Sequence, residues 1–178
     1  MKKIRTPRLV LRALKINDYF DIYDILRDYQ TALWFGMYPE ESPIVAQYFI
    51  WRSSWDKSMR QYGIIEKGAK TVIGVIQVTD FGNGEIELGY VLSKDYRRKG
   101  YMTEAVKAIS KRLFYNPKVD TVSLRVLPSN LPSQGVARKV GFVLQPPMKH
   151  YKQMCYMTKE FYDRLVLTRE SLVSDKAA

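Results

Sequence analysis

Residues 96–105 read YRRKGYMTEA: Arg97, Arg98 and Lys99 run into Gly100 and then into a helical pattern. The run EIELGYVL, residues 85–92, precedes them and has the character of a strand, so the glycine falls at a strand-to-helix turn. A helix N-terminus presents unpaired N–H groups and a partial positive charge, and glycine lets the backbone approach an anion closely. These local residues fit a phosphate seat, a solvated basic turn and a nucleic-acid patch alike. Asn130 and Ser133 stand where a loop enters a short helical stretch, and locally they read as turn and cap residues. Other chemistry is scarce. One histidine, His150, and one cysteine, Cys155, leave no His/Cys metal constellation and no pair or triad for nucleophilic catalysis, so no metal is expected. His150 reads as a surface or structural residue and Cys155 as a buried small hydrophobe. No GxxxxGK[ST] loop occurs, and the GNG at 82–84 is a hairpin turn because a strand, not a helix, follows it.

The elements that must position these residues follow from periodicity. Residues 8–14 alternate as a strand, and Asn17 caps a helix over 18–29. Ser42 and Pro43 open a second helix that ends near Met59. Its stripe of Ile44, Tyr48, Trp51, Trp55 and Met59 is expected to pack on the core. YGIIEK, TVIGVIQVTDF and EIELGYVL form an antiparallel meander, in which Gly89 suits a bulge. A helix over 102–115, a strand TVSLRVL, a short helix SQGVARKV, strands at GFVL and QMCYM, and a helix over 159–168 capped by Thr158 complete the chain. The order describes one mixed α/β sheet with helices packed on it: a domain over 1–170 and a flexible tail over 171–178.

Of the 178 residues, 46% are hydrophobic and 26% charged, as in ordinary globular proteins. No signal-peptide h-region opens the chain and no apolar run could span a bilayer, so a cytoplasmic protein without membrane contact is expected. Lys and Arg number 29 against 18 Asp and Glu, a net charge of +11. Such a field attracts polyanions, whether nucleic acid or a phosphorylated cofactor.

RRKGYM resembles the [QR]-x-x-G-x-[GA] pyrophosphate loop of the GNAT superfamily of N-acetyltransferases, with Met102 in place of the final small residue. TPRLVLRAL at 6–14 is similar to the opening strand of the RimJ/RimL-like branch. NLPSQGVARKVGF at 130–142 resembles that branch's N-x-x-S-x-x-x-x-x-K-x-G-F signature, with Asn130, Ser133, Lys139, Gly141 and Phe142 in place. The resemblance implies the GNAT-type fold, a mostly antiparallel central sheet splayed between its fourth and fifth strands with helices on both faces. It also implies acetyl-CoA as cosubstrate. Tyr90, Val91 and Leu92 would line the pantetheine arm, and Arg97, Arg98, Lys99, Gly100, Tyr101, Met102 and Thr103 the pyrophosphate, mainly through backbone N–H groups. Asn130 would bind pantetheine, and Ser133 would lie near the thioester sulfur and protonate the departing thiolate.

The amine acceptor must shed a proton. An α-amine of pKa about 8 is roughly one-tenth neutral at pH 7, whereas a lysine amine is almost wholly protonated, so an N-terminal acceptor asks less of a base. Glu85 and Glu87 share a strand face, and Glu87, three residues before Tyr90, is the candidate base, with Glu85 or water alone as alternatives. The expected reaction is direct acetyl transfer to a primary amine, with a ribosomal or other protein N-terminus as acceptor and the basic surface compatible with ribosomal RNA nearby. A small amine, antibiotic or polyamine, is the alternative acceptor, and a non-catalytic nucleic-acid-binding protein is the rival from another class. Monomer and homodimer remain open.

Overall fold

The computed structural model describes residues 2–39, 41–146, 155 and 158–174. Eight strands form one sheet in the order β1-β2-β3-β4-β5-β6-β8-β7. They are β1 (Ile4–Arg5), β2 (Leu9–Ala13), β3 (Met59–Glu66), β4 (Gly74–Asp80), β5 (Glu85–Leu92), β6 (Thr121–Val126), β7 (Val143–Leu144) and β8 (Asp163–Thr168). Neighbours run antiparallel except β5 and β6, which run parallel.

Alternation along the strands sends side chains to two cores. Ile64, Ile76 and Leu88 point to one face, where α4 (Tyr101–Phe114) and α5 (Leu131–Val140) supply Met102, Val106, Ile109, Ala137 and Val140. Ile65, Val75 and Val91 point to the other face, covered by α1 (Tyr19–Leu26), α2 (Tyr29–Phe35) and α3 (Pro43–Trp55). Helices thus lie on both faces, as an α/β sheet with apolar residues on both sides requires.

The feature that makes a site is the β5–β6 pairing. It covers only Glu85 to Leu88 against Thr121 to Leu124. Beyond it β5 continues to Leu92 against β4 alone, and β6 continues to Val126 against β8 alone. The two strands splay, and the edge of β5 from Gly89 to Leu92 that faces away from β4 has no strand partner among the described residues. Gly89 is not a bulge: the β4–β5 register runs unbroken from Asp80↔Ile86 to Gly74↔Leu92. It is the residue at which β5 parts from β6.

Three further expectations are corrected. The helix read over 159–168 is strand β8, antiparallel to β6 across six residues. Its Leu165, Val166 and Leu167 are all buried, and so short an apolar run does not distinguish a helix from a strand covered on both faces. The second helix ends at Trp55, and Met59 begins β3. The third correction concerns the α3 stripe, which faces solvent: Ile44 is 73% exposed and Trp55 56%. Ala46, Phe49 and Ile50 face the core instead, against Ile22, Ile25 and Leu26 of α1. A helix apolar nearly all round offers two stripes, and the one bearing small Ala46 is the one that packs under α1.

The tail expected at 171–178 begins within α6 (Arg169–Ser174), where Leu172 is buried. Residues 175–178, His150 and the strand read at QMCYM, apart from Cys155, lie outside the described residues. Among the described residues no helix is long and apolar enough to cross a membrane.

Candidate active site

The turn that follows β5 carries the backbone geometry of an anion seat. Ser93 leads into a 3-10 turn over Lys94–Tyr96, after which Arg98 (φ 63°) and Gly100 (φ 79°) both adopt left-handed conformations. They bend the chain sharply just before α4 begins at Tyr101, where the helix supplies its own unpaired N–H donors. Gly100 is the residue type for such a φ.

Two of the turn's three cations, Arg97 and Lys99, also make contacts away from the backbone of the turn. Arg97 donates from Nε to the Leu92 carbonyl at 3.2 Å and from Nη2 to Thr31 Oγ1 at 2.5 Å, and lies 5.9 Å over the Trp34 ring. It ties α2 to the end of β5. Lys99 places its ammonium 4.9 Å over the Tyr96 ring and falls outside the groove lining. Arg8 of the N-terminal segment donates to the Lys99 carbonyl at 2.9 Å and to Glu104 at 2.7 Å, and sits 4.6 Å over Tyr101. Glu104 also accepts from Thr6 Oγ1 at 2.6 Å and from the Arg8 N–H at 2.9 Å. Burial works to raise the Glu104 carboxyl, but these donors outweigh it and hold it below the usual carboxylate range.

Met102 sends its side chain into the core, 6% exposed, beside Ala105 and Val106. Only its backbone needs to face the turn, so the larger residue is accommodated.

A groove of about 560 Å³ runs from this turn along the open edge of β5 to the start of α5. Tyr90, Val91, Leu92, Arg97, Arg98, Gly100, Tyr101, Met102 and Thr103 line it, with Asn130 and Ser133 at its far wall. Asn130 is the α5 cap: its Oδ1 accepts from the Ser133 N–H at 3.1 Å. Ser133 Oγ donates to Tyr90 Oη at 2.8 Å, and Tyr90 donates in turn to the Ser133 carbonyl at 3.0 Å. Burial pushes the Tyr90 phenol up to about 12, with the Ser133 bond a smaller opposing effect.

A second cavity of about 340 Å³ opens on the other side of this junction, and Trp34, Tyr90, Asn130 and Ser133 line both spaces. Its walls come from α2, α3 and the diverging strands, with Phe35, Phe49, Gly89 and Leu124 among the apolar lining. Glu87 lines it and accepts from Arg125 Nη2 at 2.5 Å. Glu85 is not in the lining and pairs with Arg164 at 2.9 Å. Gln61, 1% exposed, also lines the cavity, and its Oε1 has no donor among the described residues.

Three residues of this cavity escaped sequence reasoning. Tyr162 precedes β8 in the segment read as helix, and burial together with Cys155 pushes its phenol up to about 12. Arg52 and Gln61 carried no local motif. The arrangement presents one space suited to a phosphate-bearing ligand with an extended arm, meeting a second space with a carboxylate, at a point flanked by two hydroxyls.

A family model, the acetyltransferase (GNAT) domain, matches residues 8–143. The chain is 27% identical to the uncharacterized N-acetyltransferase YnaD of Bacillus subtilis (strain 168) over 141 residues, 78% of this chain and 81% of that protein. Two solved structures from Vibrio cholerae share the fold. A spermidine N-acetyltransferase in complex with CoA and spermine aligns with a TM-score of 0.79 at 16% identity, over 93% of this chain and 98% of that one. A provisionally assigned ribosomal-protein-serine acetyltransferase aligns with a TM-score of 0.77 at 22% identity, over 94% and 97%. The family match shows that this chain belongs to the GNAT acetyltransferase domain family and is an N-acetyltransferase, and the splay of β5 from β6 agrees with it.

Proposed function

We propose that the protein is an acetyl-CoA-dependent transferase of the RimJ/RimL-like branch, acting in the cytoplasm on the α-amine of a protein N-terminus. The observation that carries the choice of acceptor is the charge of the 340 Å³ cavity. Among the described residues Glu87, Arg52 and Arg125 are its charged lining, and Glu87 is already paired with Arg125. A polycation such as spermine, bound by the Vibrio cholerae relative, would meet more guanidinium than carboxylate here. A peptide N-terminus brings one positive charge, partly neutral near pH 7, and carbonyl oxygens that a guanidinium can satisfy.

In this reading the turn at residues 98–103 seats the pyrophosphate and the free edge of Gly89 to Leu92 pairs with the pantetheine amides. The acceptor nitrogen then approaches from the Glu87 side. Glu87 takes the amine proton, directly or through water, as the new C–N bond forms. A strand N–H in the gap holds the developing oxyanion. The C–S bond breaks, and the thiolate receives the Ser133 hydroxyl proton, which is donated to Tyr90 Oη before transfer; the phenol then turns to return a proton to the serine oxygen, and solvent restores the phenol. The basic surface, +11 overall, suits an acceptor presented beside ribosomal RNA.

The test is a mass-spectrometric screen with acetyl-CoA against peptides differing in their first residue, with spermidine and an aminoglycoside alongside. The expected outcome is acetylation at the peptide α-amine, with kcat/KM for the polycations lower by about 100-fold or more. A polycation as the best acceptor overturns the assignment.

A further inference from the structure

The floor of the 340 Å³ cavity carries two carboxamides on a sheet face that is otherwise packed with apolar residues. Gln61 of β3 pairs in register with Gln77 of β4, and Gln77 with Gly89 of β5. The three therefore stand in one row across the sheet, and all of them line the cavity. Strand alternation puts them on the face of Ile65, Val75 and Val91, which are buried under α1, α2 and α3. Apolar residues in the row would extend that core. Gln61 is instead 1% exposed, with no donor to its Oε1 among the described residues. Burying a carboxamide oxygen unpaired is unfavourable, so a ligand that brings a donor to it gains. The proton transfers proposed above use neither glutamine.

The spacing decides what the row can bind. Neighbouring strands lie about 4.8 Å apart, so Gln77 is one step and Gln61 two steps from Gly89, where β5 parts from β6. A nitrogen that attacks in that gap, beside Glu87, is too far away to be the donor Gln61 receives. The donor must sit further along the acceptor. In an extended chain the C=O of the first residue and the N–H of the third point to the same side, about 4–5 Å apart. That is the step from Gln77 to Gln61. Gln77 Nε2 can donate to the first carbonyl while Gln61 Oε1 accepts from the third residue's N–H, and the second residue's N–H points away from the floor. At Gly89 an added Cβ would touch the Phe35 ring at 3.5 Å, so glycine leaves the first residue its room above the strand.

We infer that Gln61 and Gln77 read the backbone of the acceptor, so that the substrate is an extended peptide held by its first carbonyl and its third N–H. The inference rests on the peptide acceptor proposed above and adds the length of chain over which it is recognised. A polyamine has no carbonyl for Gln77.

The test compares kcat/KM for tetra-alanine amide with two analogues in which one amide is replaced by an ester, a change that deletes an N–H and keeps the length. The ester between the second and third residues should lower kcat/KM about 10-fold, mainly through KM, whereas the ester between the third and fourth should cost less than about twofold. In Gln61→Met the parent peptide and the first analogue should come within about twofold of each other, because the oxygen that tells them apart is gone. The variant should keep the wild-type melting response to acetyl-CoA, which separates lost recognition from lost fold. The wild-type comparison stands without the variant. Equal kcat/KM for the parent and the first analogue in the wild type overturns the inference and leaves the peptide acceptor in place, as does a discrimination that Gln61→Met preserves. A protein that acetylates spermidine and no peptide overturns both.

Discussion

Tyr90 and Ser133 bond to each other reciprocally: the serine hydroxyl donates to the phenol oxygen at 2.8 Å, and the phenol donates to the serine carbonyl at 3.0 Å. The pair joins the end of β5 to the first turn of α5 at the point where the two cavities meet. If it supplies the proton to the departing thiolate, Tyr90→Phe and Ser133→Ala each lower kcat about 10-fold, and the double variant is little worse than either. The phenol, held near 12, stays protonated throughout the usual assay range. Activity requires its acid form, so the wild-type rate should show no descending limb up to about pH 10. Additive losses, or an alkaline limb that persists in Tyr90→Phe, would remove the pair from the proton path.

Gly100→Val tests whether backbone or charge seats the pyrophosphate. A β-branched residue at φ 79° is strained by about 1–2 kcal/mol, and relaxing the turn moves the N–H groups off the anion. The dissociation constant for acetyl-CoA should rise at least about 10-fold by calorimetry. Lys99→Ala should stay within about twofold, because its ammonium sits on Tyr96 and outside the groove. Equal losses would return the turn to a plain basic patch.

Glu87→Gln separates a base from a bystander. At pH 7 the amine must lose a proton, and a positioned carboxylate is expected to contribute about 100-fold to kcat/KM. Above about pH 9 an α-amine is already neutral, so the two enzymes should converge. A variant that matches wild type at every pH would leave proton removal to water.

The contrast between what was legible and what was not follows from the range of each interaction. The anion turn could be read because its parts, from Arg97 to Thr103, are adjacent in sequence. Glu87 follows from its spacing to Tyr90, but that Glu85, on the same face, stays out of the cavity depends on the register, because β6 parts from β5 only after Leu124. Arg97 looked like an anion ligand, yet its partner Thr31 is 66 residues away on a helix too short to show a period. Tyr162 and the outward turn of α3 depend on which of two apolar faces finds a partner, which no local pattern encodes.

The Glu104 contacts give the scaffold a pH signature. Its folded pKa lies below the unfolded value, so its contribution is fully present above about pH 4.5 and is lost as pH falls through the lower folded value. Glu104→Gln should therefore cost about 1–2 kcal/mol at pH 7, roughly 3–6 °C in melting temperature, through weakened bonds to Thr6 and Arg8. The gap between variant and wild type should close as pH falls through the carboxyl's lowered folded value. A gap that persists in acid would assign the loss to packing.

Gln61 offers a test in which acceptor binding and stability are expected to move in opposite senses. Its Oε1 is buried against the acceptor cavity with no donor among the described residues, a state that costs about 1–3 kcal/mol. Gln61→Met keeps the volume and removes the unpaired carbonyl, so the free protein should melt higher by a few degrees. If that oxygen receives an N–H of the acceptor, the same change should raise the acceptor's KM about 10-fold while leaving the affinity for acetyl-CoA unchanged. The split is diagnostic, because a purely structural glutamine would move the melting temperature alone. A variant no more stable than wild type, with an unchanged acceptor KM, would mean the carbonyl is satisfied by the protein itself.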